Sequence, residues 1–492
     1  MISLFASKKL FRERKLKTPD SAIQFQIQPL LKNSPRAVRI NGQLPRILKE
    51  VPKEWELFLS TLYQRGIIHD VTRRVLSFGD VKITVYEVSF QINREETDGH
   101  HIRDLISTHG VSLNAGEALS KAFGEFFERY PLLLYHKDDL LIASVSHLGQ
   151  KGSRCLDPAT LAGPNDQQKA WFPVKKVERE NLFGWVQGKS LMTKRTVWLQ
   201  AQTVFWNYCG DYDGFHEPTI REINTSGAGG FFSLEGALLS AIYELVQRDG
   251  FLIYWLNNQP PPRIDISTIS DESVKKLIDL VQKQGLEVTF LDTTTDIAIP
   301  SCVCVIMDKS GGYPRVALGG GSGLNPEVMI KCALLEALMI RSWMEKSNLK
   351  FTLPQDYHPF QTEGIGLEER AGLWANIPGN ESLSFFSSGP SVSLSDLSRH
   401  GKSSSSKSEE LKHVIKKFKL LGAGHEIFYY RSDQEILRKV GYESVRAVIP
   451  ALLPLYMVET NAPLGAKRLH KVPQKLGFSS LRSPNPLPHP FL

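Results

Sequence analysis

The chain has 492 residues, 41% of them hydrophobic, and carries 59 Lys and Arg against 52 Asp and Glu for a formal net charge of +7. That length and apolar content give room for two or three domains with real cores and exclude a disordered polar chain. The modest positive charge favours an anionic ligand over nucleic acid; the five cysteines, Cys155, Cys209, Cys302, Cys304 and Cys332, form no Cys-x-x-Cys pair, which argues against a disulfide framework and a zinc site.

The opening stretch MISLFASKKLFRERKLK has an apolar run too short for a secretory signal and a basic flank on the wrong side. No stretch reaches membrane-spanning length, so a cytoplasmic protein with no membrane segment is expected. Residues 1–75 read as a small N-terminal docking module. Within it, VPKEWELFLSTLYQRGIIHDV has apolar positions at helical spacing, a stop at Gly66 and then a β-branched pair, as in small winged-helix folds. Residues 76–492 form the larger part. Strand-like runs such as VKITVYEVSFQI, RTVWLQAQTVFW, LEVTFLD and CVCVIM alternate there with long amphipathic helices, which predicts a mixed α/β (α+β) domain. The segment SFFSSGPSVSLSDLSRHGKSSSSKSEE, rich in Ser and Gly, is predicted as a mobile loop.

Conventional nucleotide motifs fail on inspection. GWVQGKS would need glycine at Phe183 to complete a P-loop, and the second Gly-Lys-Ser, at Gly401, would need it at Asp396. What recurs instead is a helix with a glutamate and, just after it, an arginine: Glu125, Glu128 and Arg129; Glu244, Gln247 and Arg248; Glu336, Met339 and Arg341. In each, the acidic residue and the residue three later share one helical face. Two carboxylates about 4 Å apart repel by roughly 4 kcal/mol at an effective dielectric of 20, and a hard cation such as Mg²⁺ would relieve that repulsion. Two of these helices follow glycine-rich runs, TSGAGGFFSLE and LGGGSGLNPE, with Ser233 and Asn325 as N-cap candidates. The glycines are expected to form turns that offer free amides to an anion. Ordinary ion-paired helix faces are the alternative. The chain closes on SPNPLPHPFL, whose alternating prolines predict a stiff extended rod that loses little entropy when docked; on its own it reads as a proline-rich tail or a ligand for a partner's aromatic groove.

Taken in order, GVSLNAGEALSKAFGEFFERY, TSGAGGFFSLEGALLSAIYELVQRDGFLIYW, ALGGGSGLNPEVMIKCALLEALMIR, RAVIPALLPL and NPLPHPF resemble the landmarks of the YcaO superfamily over about Phe78 to Leu492. The alternating-proline ending resembles its azoline-forming cyclodehydratases, which modify ribosomal peptides. The resemblance implies an ATP site without a P-loop. Glu125, Glu128 and Glu244 would hold Mg²⁺, and Arg129, Ser226, Glu244, Gln247, Arg248, Glu336 and Arg341 would hold ATP. The tail, through Pro486, Pro488, Pro490 and His489, would line the catalytic centre, with His489 a candidate general base. The chain departs from the family pattern at Lys121, Phe232, Gly236, Gln247 and Met339, where serine, asparagine, glutamate, glutamate and glutamine are usual. The activity implied is ATP-driven conversion of Cys, Ser or Thr in a precursor peptide to thiazoline or oxazoline. The implied partners are that peptide, an E1-like (ThiF-type) leader-binding protein and a flavin-dependent azoline dehydrogenase, in an oligomeric assembly. The departures keep a second expectation open, a scaffold of this fold that binds peptide or partner without ATP turnover.

Overall fold

The structure is a computed structural model, and it describes residues 53–95, 101–171, 177–212, 214–399, 401, 404, 406–479 and 483–492. Most of the expected N-terminal module lies outside the described residues. The described part begins with helix α1 (Lys53–Gln64) and a meander of β1 (Ile68–Phe78), β2 (Val81–Glu95) and β3 (His101–Ser112), followed by α2 (Ala115–Arg129). Trp55, Leu59 and Leu62 of α1 are buried in one core with Val88 and Phe90 of β2 and Phe123, Phe126 and Phe127 of α2. The boundary expected near residue 75 therefore falls inside β1, which pairs with β2 from Ile68 to Phe78.

Next come β4 (Leu141–Ser144), β5 (Leu182–Ser190), β6 (Thr196–Gln200), β7 (Ala228–Phe231) and the long helix α3 (Leu234–Leu256). A second meander, β8 (Leu286–Asp292), β9 (Ser301–Asp308) and β10 (Val316–Ser322), leads into α4 (Pro326–Ser347). The chain continues through α5 (Leu367–Asn376), β11 (Phe428–Arg431) and β12 (Glu443–Val448). One sheet runs β1-β2-β3 and another orders β4-β5-β11-β12-β7, with β6 on β5; a third runs β10-β9-β8 and on to short strands at Arg263–Ile264 and Ser391–Val392. This is a mixed α+β fold. Among the described residues no helix is long and apolar enough to cross a membrane.

Two glycine-rich runs differ from expectation. AGGF and LGGGS lie in strands, β7 and β10, rather than turns, with Gly227 alone in a turn just ahead of β7. Their glycines are needed because a helix lies directly on them. A Cβ at Gly229 would sit 2.3 Å from the Ala237 carbonyl oxygen, and one at Gly321 would sit 2.3 Å from that of Met329. Gly110 of β3 stands in the same relation to Ala118 of α2, at 1.9 Å. Among the described residues this strand–helix unit occurs three times in the same register. Asn114, Ser233 and Asn325 cap the helices, each accepting a first-turn amide, a contribution of about 1 kcal/mol apiece. The packed glycine lies four residues before each cap, and a glutamate, Glu125, Glu244 or Glu336, eleven after it.

Part of the serine-rich segment expected as a loop is ordered. Ser391–Val392 extends the third sheet, and Leu394 and Leu397, three apart on the short helix Leu394–Ser398, are buried.

Candidate active site

The three repeated glutamates are each tied back to a backbone amide in, or just ahead of, the strand that precedes their helix. Glu125 Oε2 accepts from the His109 amide at 2.6 Å, Glu244 Oε2 from Gly227 at 2.9 Å, and Glu336 Oε2 from Gly320 at 2.6 Å. The amides of the glycine runs are thus used internally, which corrects the expectation that they stand free for an anion. One helical turn on, Arg129 Nη2 lies 2.6 Å from Glu125 Oε1, with exposures of 1% and 6%. In the second unit Arg248 donates to Glu244 Oε1 from Nε at 3.1 Å and Nη2 at 2.7 Å. Burial raises the Glu125 carboxyl above its ordinary range although Arg129 opposes it. Burial pushes Glu244 the same way, but positive charge, Arg248 foremost, and hydrogen bonds from Arg248 and the Gly227 amide together outweigh it and hold that carboxylate at about 2.

Glu128 feels the charges of both ion pairs. Burial, followed by the negative charge of Glu244, pushes its carboxyl up to about 7. The Glu244 charge also raises Glu125 and Glu336, so the four carboxylates form one electrostatic group. Arginines crowd the same place. Arg129 Nε and Nη1 and Arg248 Nη1 are buried without a hydrogen-bond partner. Arg446 of β12 donates to the Thr203 carbonyl at 3.1 Å and the Asn224 carbonyl at 2.7 Å. Burial and the nearby Arg221 lower Arg446 to about 9, and burial lowers Arg221 to about 10. A centre with buried, unpartnered guanidinium N–H groups beside a carboxyl that holds its proton to near neutrality is poised for a polyanion and a hard cation.

The sequence profile of the family described as YcaO cyclodehydratase, ATP- and Mg²⁺-binding, matches residues 109–453. The chain belongs to the YcaO family. An uncharacterized protein of Methanothermobacter thermautotrophicus is 23% identical over 361 residues, 71% of this chain and 84% of the relative. Among solved structures, a heterocyclase in complex with substrate and cofactor superposes with a TM-score of 0.70 at 18% identity, covering 90% of this chain and 57% of that one. The YcaO protein of Methanopyrus kandleri bound with AMPPCP and Mg²⁺ superposes with a TM-score of 0.57 at 15% identity, covering 83% of this chain and 91% of that one. The chain thus spans little more than half the length of that heterocyclase.

Within this YcaO fold the predicted site residues separate. Glu125, Glu128, Arg129, Glu244, Arg248 and Glu336 come together, with Gln247 against Gly320, where a Cβ would lie 1.6 Å from Gln247 Nε2. Ser226 adjoins them as the residue before Gly227, and its amide donates to Asn224 Oδ1. Arg341 does not join them. It stands one residue later in its unit than Arg129 and Arg248 do in theirs, and that 100° turn of the helix carries it to Asp308, Glu345 and the Pro314 carbonyl. Buried Ile340 takes the equivalent place, and Met339 is buried in an apolar core. Lys121 points to Glu117, at 2.7 Å, and the Val111 carbonyl. The Phe231 ring covers Gly236, where a Cβ would fall 2.2 Å from it.

The expected metal triad is not a ready cage. Both oxygens of Glu125 and of Glu244 face arginines and backbone amides, and among the described residues no three acidic, His or Cys side chains stand in a metal-binding arrangement. The proline tail docks as a rod within the fold. His489, however, is fully buried and its Nε2 lies 2.7 Å from the Tyr456 carbonyl. Burial holds its imidazole well below the ordinary range. That ring anchors the tail and does not face the carboxylates as a base. Sequence reasoning passed over Arg446 and Arg221. Arg446 opens the quoted stretch RAVIPALLPL, a signal that was available; nothing local marks Arg221.

Proposed function

We propose that this YcaO chain is the ATP- and Mg²⁺-dependent cyclodehydratase subunit that forms azolines from Cys, Ser or Thr of a precursor peptide. The observation that carries the reading is the buried cluster itself: unpartnered N–H groups on Arg129 and Arg248 beside Glu128, whose carboxyl is pushed up to about 7. The donor set suits the group. Glu128, the second oxygen of Glu336 and the Gln247 carbonyl are hard oxygens available to Mg²⁺, while Arg129, Arg248 and Arg446, with Ser226, suit the phosphates. Bound Mg²⁺-ATP supplies a γ-phosphoryl group that turns a poor amide-oxygen leaving group into phosphate.

The chain's residues position and neutralise. Arginines balance charge gathering on the transferred group, and the docked tail shapes the side of the site next to Gln247 and Gly320. In the peptide, the side-chain sulfur or oxygen bonds to the preceding carbonyl carbon and loses its proton. The amide nitrogen loses a second proton as the C–O bond breaks and phosphate departs. The heterocyclase bound to substrate and cofactor supports this reading by fold likeness. The reading places the chain in the cytoplasm, in an oligomeric complex with an E1-like (ThiF-type) leader-binding protein docked by its N-terminal residues, and with a flavin-dependent dehydrogenase acting on the product.

The second reading, a scaffold without turnover, is favoured by the Phe231 ring over Gly236 and by apolar Met339. Phosphate release from Mg²⁺-ATP in the presence of precursor peptide and partner separates the two. The cyclodehydratase releases one phosphate per water lost from the peptide, and the scaffold releases none.

A further inference from the structure

The last nine residues seat against the fold, continuously buried from Pro488 to Leu492, on a surface suited to a chain poor in amide donors. A run of alternating prolines offers mainly carbonyls, and the fold meets them with side-chain donors. Tyr357 Oη donates to the Pro486 carbonyl at 2.6 Å, Trp374 Nε1 to that of Pro488 at 2.9 Å, and Arg370 Nη1 to that of His489 at 3.0 Å. Arg370 and Trp374 stand one turn apart on α5, so one helix sets two successive carbonyls. Arg370 is fixed in turn by Glu459 at 2.7 Å and by the Met457 carbonyl at 2.9 Å. From below, His489 is clasped edge-on by Tyr456 and Phe251, with ring centroids 4.7 and 5.7 Å apart.

This clamp delivers one side chain to the charged cluster. Phe491 is 2% exposed and packs on Phe251 at 5.1 Å. The Arg248 guanidinium carbon lies 5.7 Å from the centroid of the Phe491 ring, within the range of a cation–π contact. A Cβ at Gly320 would fall 2.8 Å from the Phe491 ring and would also strike Gln247. The ring therefore touches elements of both the second and third repeated units. Arg248 thus has one edge on Glu244, the Phe491 ring against it and one buried nitrogen, Nη1, without a partner.

We infer that Phe491 is the positioning residue of the tail: its ring fixes the Arg248 guanidinium so that Nη1 is presented to the outer phosphates of the nucleotide, and Arg370, Trp374 and Tyr357 act by holding Phe491 in place. This rests on the ATP reading above. The prolines and His489 supply reach and anchorage, and the contact with the charged centre belongs to Phe491.

The test is calorimetric titration of the full chain with Mg²⁺-ATP and, separately, AMP, which lacks the outer phosphates. In wild type ATP binds more tightly than AMP. Phe491→Leu keeps apolar volume and loses the ring, and should lower that preference about 3- to 30-fold with AMP binding unchanged. In an Arg248→Lys background Phe491→Leu should have no further effect. Trp374→Phe, which removes one N–H and keeps the aromatic core, should lower the preference in the same direction and serves if Phe491→Leu fails to fold. An undiminished preference in both Phe491→Leu and Trp374→Phe, or an equal loss for ATP and AMP, overturns the inference. Wild type that binds neither nucleotide overturns the ATP reading itself, a result no tail variant can produce.

Discussion

Gly229→Ala tests whether the close seating of α3 on β7 sets the site. The added Cβ would stand 2.3 Å from the Ala237 carbonyl oxygen, 2.6 Å from the Ala241 amide nitrogen and 2.8 Å from the Ala241 Cβ. All three belong to helix backbone or to a Cβ, so no flexible side chain can swing aside. Restoring ordinary contact near 3.4 Å requires α3 to retreat by about 1 Å. Overpacking of this kind costs about 1–3 kcal/mol, and a displacement of about 1 Å at a reacting centre costs about 100-fold in rate. Because α3 carries Glu244, Gln247 and Arg248, the variant should unfold at lower urea concentration and bind Mg²⁺-ATP much more weakly. Gly149→Ala is the matched control: it lies in a short helix with nothing within 4 Å of an added Cβ, and should be neutral or stabilising by up to about 1 kcal/mol. Urea denaturation and calorimetry on both variants decide the matter. Wild-type stability and ATP affinity in Gly229→Ala would refute the claim that helix seating sets the site.

Glu128 makes stability depend on pH. Its carboxyl titrates at about 7 in the folded protein against an ordinary 4.5, so the folded state keeps a proton that the unfolded chain loses, and stability falls as pH rises through that interval. Glu128→Gln should flatten this slope and be more stable than wild type at pH 8 by about 1–3 kcal/mol, as read by urea midpoints at several pH values. Glu459→Leu leaves the fully buried Arg370 without its carboxylate and should cost about 3–5 kcal/mol, measured in the same way. His489→Phe keeps a ring in the tail socket and loses the bond to the Tyr456 carbonyl. It should cost about 1–3 kcal/mol and leave the pH profile of phosphate release unchanged, whereas a general base at this position would show as loss of the alkaline plateau.

The helices of the site were legible because their signals are local. Ser233 and Asn325 precede apolar-periodic runs and cap their helices, and the glutamates show as a recurring pattern with an arginine just after, whereas the third cap, Asn114, and the shared eleven-residue spacing emerge from the structure. The glycine runs were misread because composition alone cannot distinguish a turn that cradles an anion from a strand on which a helix lies flush; Gly229 and Gly321 are of the second kind. Arg341 shows how narrow register is: one residue turns a side chain by 100° and takes it from the cluster to Asp308. Arg446 and Arg221 reach the site from distant segments, and Arg370, Trp374 and Tyr357 meet the tail across more than a hundred residues of sequence. Such pairings exist only once the chain has folded, so no spacing rule announces them. The tail's rigidity could be read from its prolines and its place beside the catalytic centre from the resemblance, but the donors that seat it and the contact through Phe491 could not.

The central claim is that the buried carboxylates and arginines contributed by the three repeated helices form the nucleotide site. Calorimetric titration of the full chain with ATP, with and without Mg²⁺, tests it most directly when wild type, Glu128→Gln and Arg341→Met are run together. The account predicts Mg²⁺-dependent binding in wild type, its loss in a folded Glu128→Gln, and wild-type affinity in Arg341→Met, whose side chain lies away from the cluster. Undiminished ATP affinity in Glu128→Gln, or its loss in a folded Arg341→Met, would contradict the account.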